Sequence, residues 1–254
     1  MEMRLGTFLV GKILAITSLT YAFEFNELPF PFLQASHSAE RWNRLSLLDD
    51  ADYYSQASQD RFVYMILYGL LGKQDQGYYL EIGAGDPINT NNSYFFEKEL
   101  KWSGVSIDIS KENTKQWYAV RNNLLLNEDA TKSDYGAVLQ FFPKVIDYLS
   151  LDIDECYADV LKNIPFKDYT FKVITIEHDF YRYGDLYRKQ ERQILESFGY
   201  HLLCSDVSIS GFCFEDWWIH PSFFSSSELS VITSLDLKAK DYTQLIQALQ
   251  VALD

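Results

Sequence analysis

Glu81, Gly83, Ala84 and Gly85 close an apolar run, Tyr78-Tyr79-Leu80-Glu81-Ile82, and Asp86 follows them. Glycines in that place let backbone N–H groups approach a ligand without interference from a Cβ, and a carboxylate beside them can accept from a hydroxyl or an ammonium. The combination suits S-adenosylmethionine, whose methionine end carries an ammonium. An ordinary strand-to-helix turn uses the same residue types, so the downstream spacing has to discriminate. A dinucleotide fingerprint wants a third glycine three positions past Gly85, where this chain has Ile88 behind Pro87, which disfavours a hydride-transfer cofactor. Asp108 ends the next apolar run, Gly104-Val105-Ser106-Ile107, about 20 residues past the glycines, where a ribose-binding carboxylate belongs. Both cofactor classes use such an acid, so it supports the fold more than the choice of ligand.

Further acids close the later apolar runs: Glu128-Asp129, then Asp152-Ile153-Asp154, then Glu177-His178-Asp179. Each alone reads as readily as a helix cap or a solvated loop acid. Their succession is harder to attribute to capping, because loops draw on Ser, Asn, Lys and Gly as freely. A hydroxyl acceptor needs a group to take its proton, and a neutral histidine is the natural base near pH 7. His178 has acidic company that His37, His201 and His220 lack; a histidine bonded inside a polar loop network is the alternative. Tyr181 and one of Trp217 and Trp218 are candidates for a substrate wall, whereas Phe212 and Phe214 are assigned to packing.

The elements that must position these groups alternate as a βα repeat requires. Apolar spacing predicts a helix over 59–71 stopped by Gly72, crossover helices over 93–100 and 110–122, and a helix over 185–198. Strands are expected at 78–82, 104–109, 124–127, 145–151, 171–176 and 200–204. This pattern implies a Rossmann-like α/β sheet, mostly parallel, with helices on both faces and ligands outside the carboxyl ends of its strands. Leu245, Ile246, Leu249 and Leu253 fall at helical spacing over 241–253, as in a docking helix or an oligomer contact.

With 254 residues, 47% of them apolar, the chain can form one substantial domain, expected over 55–254, behind an N-terminal extension over 1–54. A net charge of −14 opposes attachment to nucleic acid or anionic lipid, since such binding is mostly phosphate neutralisation by Lys and Arg. A small neutral or cationic partner fits better. Cys156, Cys204 and Cys213 are far apart and read as reduced thiols. Residues 1–22 resemble a signal peptide ending at Thr20-Tyr21-Ala22, with an apolar core too short to span a bilayer; an amphipathic arm is the other reading. An intracellular cofactor argues for the cytoplasm, and a cleaved signal would argue for export.

Several blocks together resemble the FkbM family of S-adenosylmethionine-dependent methyltransferases: Ser55-Gln56-Ala57-Ser58-Gln59-Asp60, Leu80 to Ala84, Thr90-Asn91-Asn92-Ser93, Trp102-Ser103-Gly104-Val105, Asp147 to Asp154, Ile176-Glu177-His178-Asp179 and Phe214-Glu215-Asp216-Trp217-Trp218. The resemblance covers roughly residues 55–220 and implies a seven-stranded class I methyltransferase sheet whose final strand is antiparallel. It implies O-methylation of a hydroxyl on a sugar or other small metabolite, with a non-catalytic or exported binding module on the same fold as the alternative. Glu81, Gly83, Ala84 and Gly85 would line the methionine and ribose portion of the cofactor, Asn92 its amino-acid end, Asp108 the ribose, and Asp129 with Ala130 the adenine. Asp152 would face the methyl donor and act with His178 in catalysis, beside Asp179 and Tyr181 at the substrate. Related O-methyltransferases bind a divalent ion, and Asp152, Asp154 and Glu177 supply the hard oxygens that Mg²⁺ prefers. Two departures stand out: Gly85-Asp86-Pro87 replaces an Asn-Asp-Gly-like loop, and Asp154-Glu155-Cys156 replaces a Glu-Gly stretch.

Overall fold

The computed structural model describes residues 52–253, so the expectations for residues 1–51 lie outside the described residues. Seven strands form one sheet: β1 (Tyr78–Ile82), β2 (Ser103–Ile107), β3 (Leu124–Leu126), β4 (Val145–Leu151), β5 (Thr170–Glu177), β6 (His201–Ile209) and β7 (Phe212–Ile219). Their order across the sheet is β3-β2-β1-β4-β5-β7-β6. The first five are parallel, and β7 runs antiparallel between β5 and β6. This is the seven-stranded order with one antiparallel strand that the resemblance implies.

Alternation along each strand builds a core on both faces. On one side, Tyr79, Tyr148, Val173 and Trp217 meet α1 (Gln59–Tyr64) and its π-helical continuation Met65–Leu70. There Phe62 stacks on Trp217 at 4.4 Å. The terminal helix α9 (Tyr242–Leu253) adds Leu245, Ile246, Leu249 and Leu253 to the same core, so its apolar stripe is buried within the chain. On the other side, Leu80, Leu149, Ile174 and Trp218 are covered by α4 (Tyr135–Leu139), α5 (Tyr157–Asn163) and α7 (Asp185–Ser197). Between these come α2 (Tyr94–Leu100), α3 (Trp117–Val120), α6 (Phe180–Tyr183) and α8 (Ser226–Thr233).

The helix expected over 110–122 shrinks to the single turn of α3. Ser110 Oγ accepts from Asn113 N–H, Thr114 Oγ1 donates to Ser110 O, and Ser110 N–H is drawn to Asp108. Short polar side chains compete here with the helical ladder for the same backbone groups. Strand β6 runs five residues beyond the expected 200–204 and carries register irregularities. Among the described residues no helix is long and apolar enough to cross a membrane.

Candidate active site

Register places the chemistry. Ile82 pairs with Ile107 of β2 and with Leu151 of β4, and Leu151 pairs with Ile176 of β5. The next residue on each strand is therefore Asp108, Gly83, Asp152 and Glu177, side by side at the carboxyl ends. Backbone bonds close the row: Gly83 N–H donates to Ile107 O at 2.8 Å and Asp152 N–H to Ile82 O at 2.8 Å. Gly83 has φ +85°, and a Cβ there would stand 1.6 Å from the Asp152 carbonyl oxygen, so only glycine lets the two strand ends meet.

A cleft of about 420 Å³ opens over this row. It takes in the expected Gly83, Asp108, Asp129, Ala130, Asp152, Asp154 and Glu177. Seven of its fourteen lining residues are Asp or Glu and none is Lys, Arg or His. Ile109, 73% exposed, offers it an apolar surface.

On the β1–β2 side the acids are organised by N–H donors. Asp108 Oδ2 accepts from Gly85 N–H at 2.7 Å and Oδ1 from Ser110 N–H at 2.6 Å. Gly85, at φ +57° with open space where a Cβ would point, gives the loop its left-handed turn. Ala84 packs with Trp117 and Leu125. Asp129 caps the short helix Ala130–Lys132 by accepting from Thr131 N–H. Its bonds from Lys132 and Thr131 hold its carboxyl at about 2.

One residue back from the row, Glu81 is buried between serines of both neighbouring strands. Ser106 Oγ donates to its Oε2 at 2.6 Å, and Asn92 Nδ2 donates to Ser150 Oγ at 3.0 Å and Asp152 Oδ2 at 3.3 Å. Glu81 Oε1 and Asn92 Oδ1 are buried with no partner. Burial raises the Glu81 carboxyl, an effect that the Arg121 charge and hydrogen bonds from Ser106, Ser93 and Asn91 only partly offset. Two buried acceptors without donors fit a ligand that brings an ammonium, and Asp108 at the next strand end fits one that brings hydroxyls. The residues present thus suit S-adenosylmethionine.

The sequence reading missed what holds this loop. Arg121, buried just past α3, donates to Glu97 Oε2 at 2.5 Å, Pro87 O at 3.1 Å, Asn91 Oδ1 at 3.0 Å, Tyr79 Oη at 2.8 Å and Ser93 Oγ at 2.8 Å. Asn91 Nδ2 in turn donates to Ala84 O and Asp86 O. A lone arginine in a polar run carries no periodic signal, and nothing local betrays five partners from distant segments.

On the β4–β5 side the acids meet one another. Asp152 and Glu177 share a hydrogen bond, and Asp179 lies against Glu177. Burial, reinforced by the neighbouring Asp152 charge, pushes Glu177 well above the usual carboxylate range, and burial also raises Asp152. Tyr157 Oη donates to Glu177 Oε2 at 3.0 Å. Tyr181 is 55% exposed beside Asp179.

His178 is set apart from the cleft walls. Its ring is fully buried; Nδ1 accepts from Phe180 N–H at 3.1 Å, which leaves the ring proton on Nε2, 3.5 Å from Asp216 Oδ1. Burial works to raise Asp216, but His178 and Arg192 outweigh it and hold that carboxyl at about 2.

The magnesium set expected from sequence is not assembled. Asp154 has a side chain 91% exposed, 4.0 Å from Arg182, and does not converge with Asp152 and Glu177. A tight carboxylate turn would be needed to bring three ligands together, and the chain after β4 instead leads outward into α5. Among the described residues the group with ligand-like spacing is His178, Asp206 and Asp216. Arg188 and Arg192 already occupy both of those carboxylates.

No protein-family model matches the chain, and no curated protein matches it. Solved structures similar to it include a putative rRNA-methylase from Clostridium thermocellum, at 9% identity over 66% of this chain and 97% of that one, TM-score 0.45. Another is magnesium protoporphyrin IX methyltransferase from Synechocystis PCC 6803 with bound SAM, at 12% identity over 71% and 88%, TM-score 0.40. A third is the N-methyltransferase NodS from Bradyrhizobium japonicum WM9 in complex with S-adenosyl-L-homocysteine, at 14% identity over 73% and 98%, TM-score 0.40.

Proposed function

We propose that the chain is an S-adenosylmethionine-dependent methyltransferase, FkbM-like, that methylates a hydroxyl of a sugar or other small metabolite. The observation that carries this reading is the pair of buried, unpartnered acceptors, Glu81 Oε1 and Asn92 Oδ1, directly behind the Gly83 turn. An unsatisfied buried polar atom costs about 1–3 kcal/mol, so a fold that keeps two together gains from a ligand supplying donors. Glu81 and Asn92 receive the cofactor's ammonium, Asp108 its ribose hydroxyls, and Asp129 with Ala130 its adenine. When bound, the cofactor supplies an electrophilic methyl group on a sulfonium centre that leaves as a neutral thioether.

The acceptor hydroxyl loses its proton as its oxygen is methylated. Asp152 lies at the cleft, whereas the buried His178 ring does not line it, so Asp152 takes that proton while the protonated Glu177 donates a hydrogen bond to it. A buried carboxylate with a raised affinity for protons is a competent base near neutral pH. His178 acts one step back, tying the turn after β5 to Asp216. The acid-lined cleft and the charge of −14 support a small neutral or cationic acceptor over a nucleic acid.

Calorimetric titration with S-adenosylmethionine, S-adenosylhomocysteine and NADH tests the reading. Binding of both sulfur ligands at one site, with none by NADH, is the expected result. No heat from either sulfur ligand at millimolar concentration would remove the proposal, and equal binding of NADH would favour a dehydrogenase.

A further inference from the structure

The turn after β5 holds a carboxyl that methyl transfer does not by itself require. His178 N–H and Asp179 N–H both donate to Phe214 O, at 2.6 and 2.9 Å, and Asp179 takes a left-handed φ of +47°. The Asp179 carboxyl is thereby turned in against Glu177. The residue is only 3% exposed, and its Oδ1 has no hydrogen-bond partner. Tyr181 and Glu177 bond to this carboxyl, but a buried carboxylate oxygen left without a donor is costly, so Oδ1 calls for one.

The surroundings say which kind of donor. From the β4 end come Asp152 and the exposed Asp154, from β5 comes Glu177, and from α6 come Tyr181 and Arg182. Arg182 is the cation that acts on Asp179, yet its side chain is half exposed, turned to Asp154 at 4.0 Å and lying over the Tyr183 ring at 4.9 Å. Glu177 bonds to both Asp152 and Asp179, and the three carboxyls have no buried counter-charge among the described residues. A hydroxyl could satisfy Asp179 Oδ1 but would leave the repulsion between Asp152 and Asp179 uncompensated; an ammonium answers both, and the adjacent Tyr181 ring offers it a π-face. An anionic group would be repelled.

We propose that Asp179, with Tyr181, forms a subsite for a protonated amino group, so that the acceptor is an amino alcohol in the broad sense, an amino sugar or aminated polyol. Its ammonium sits on Asp179 and its hydroxyl reaches Asp152. This rests on the methyl-transfer reading, in which Asp152 faces the reacting hydroxyl. It excludes phosphorylated and carboxylated acceptors as a class.

Saturation-transfer NMR with ethanolamine, ethylene glycol and glycolate, matched in size and differing in charge, tests the subsite in protein with and without S-adenosylhomocysteine. Ethanolamine should bind, ethylene glycol at least about tenfold more weakly, and glycolate not at all. Asp179→Asn should weaken ethanolamine by about tenfold, and because Asn tolerates the left-handed backbone the variant keeps its fold. Tyr181→Leu, at an exposed position, should weaken it by a smaller factor with no loss of stability. Equal or tighter binding of glycol or glycolate, no ethanolamine binding up to ~100 mM, or an unaffected Asp179→Asn variant would overturn the proposal. Titration of S-adenosylhomocysteine into the same samples keeps the two readings separate. Failure there with ethanolamine still bound removes the methyltransferase and leaves the amine subsite.

Discussion

The β1 side and the β4–β5 side of the sheet edge both bury charged groups and treat them in opposite ways. On the β1 side, Arg121 and Glu97 form an ion pair whose remaining hydrogen-bonding groups are met by Asn91, Ser93, Tyr79 and the carbonyl of Pro87. On the β4–β5 side, Asp152, Glu177 and Asp179 have Asn92, tyrosines and one another for partners and, among the described residues, no buried cation. A completed network fixes a loop and asks for nothing more. An incomplete one is tolerated where a ligand completes it, and Glu81 Oε1 and Asn92 Oδ1 lie just behind the Gly83 turn that lines the cleft.

Breaking the completed side should have the largest effect. Arg121→Met leaves Glu97 buried and unpaired, and removal of one partner from such a pair costs about 3–5 kcal/mol. Urea unfolding should show a loss of that size; a loss below ~1 kcal/mol would mean that the network is not what holds the loop. Asp108→Ala, on the β1–β2 side, should weaken S-adenosylhomocysteine by about 1.5–3 kcal/mol, roughly 10- to 150-fold in Kd. Calorimetry checks it, and an unchanged Kd would detach Asp108 from the ribose.

This division explains what could be read without coordinates. Glu81, Gly83, Asp108, Asp152 and Glu177 announce themselves because each follows an apolar run, and the end of a strand is local information. Their alignment in one row is not local; it follows from the pairing of Ile82 with Ile107 and Leu151 and of Leu151 with Ile176. Arg121 was invisible for the same reason. His178 stands apart from its acidic neighbours in sequence, Glu177 and Asp179, because its buried ring lies 3.5 Å from Asp216 Oδ1. Asp154 stands apart in the other direction, since hard-oxygen ligands at short spacing look alike whether they converge or, as here, one is left in solvent.

A smaller effect, confined to the incomplete side, should appear in the pH dependence of stability. Glu177 binds its proton more tightly folded than unfolded, so the folded chain holds more protons above the unfolded value of about 4.3. Stability from this group is full below that value and is lost as pH rises toward the raised folded one. The ligand-free protein should therefore melt lower at pH 8 than at pH 5.5. Glu177→Gln should flatten the dependence and raise the pH 8 midpoint by a few degrees, roughly the shift that 1 kcal/mol gives a domain of this size. A wild-type midpoint that climbs between these pH values would contradict the assignment.

The central claim is that the unpartnered carboxyls are kept for a ligand and not for the fold, and Glu81→Gln tests it most directly. The amide keeps the shape and can still accept from Ser106 Oγ, but it removes the charge offered to an ammonium. Paired measurements of Kd for S-adenosylhomocysteine and of the melting midpoint decide the matter. The expected result is an affinity weakened by at least about tenfold with the midpoint unchanged or raised. A midpoint that falls while Kd stays at the wild-type value would show that Glu81 serves the fold, and would contradict the account.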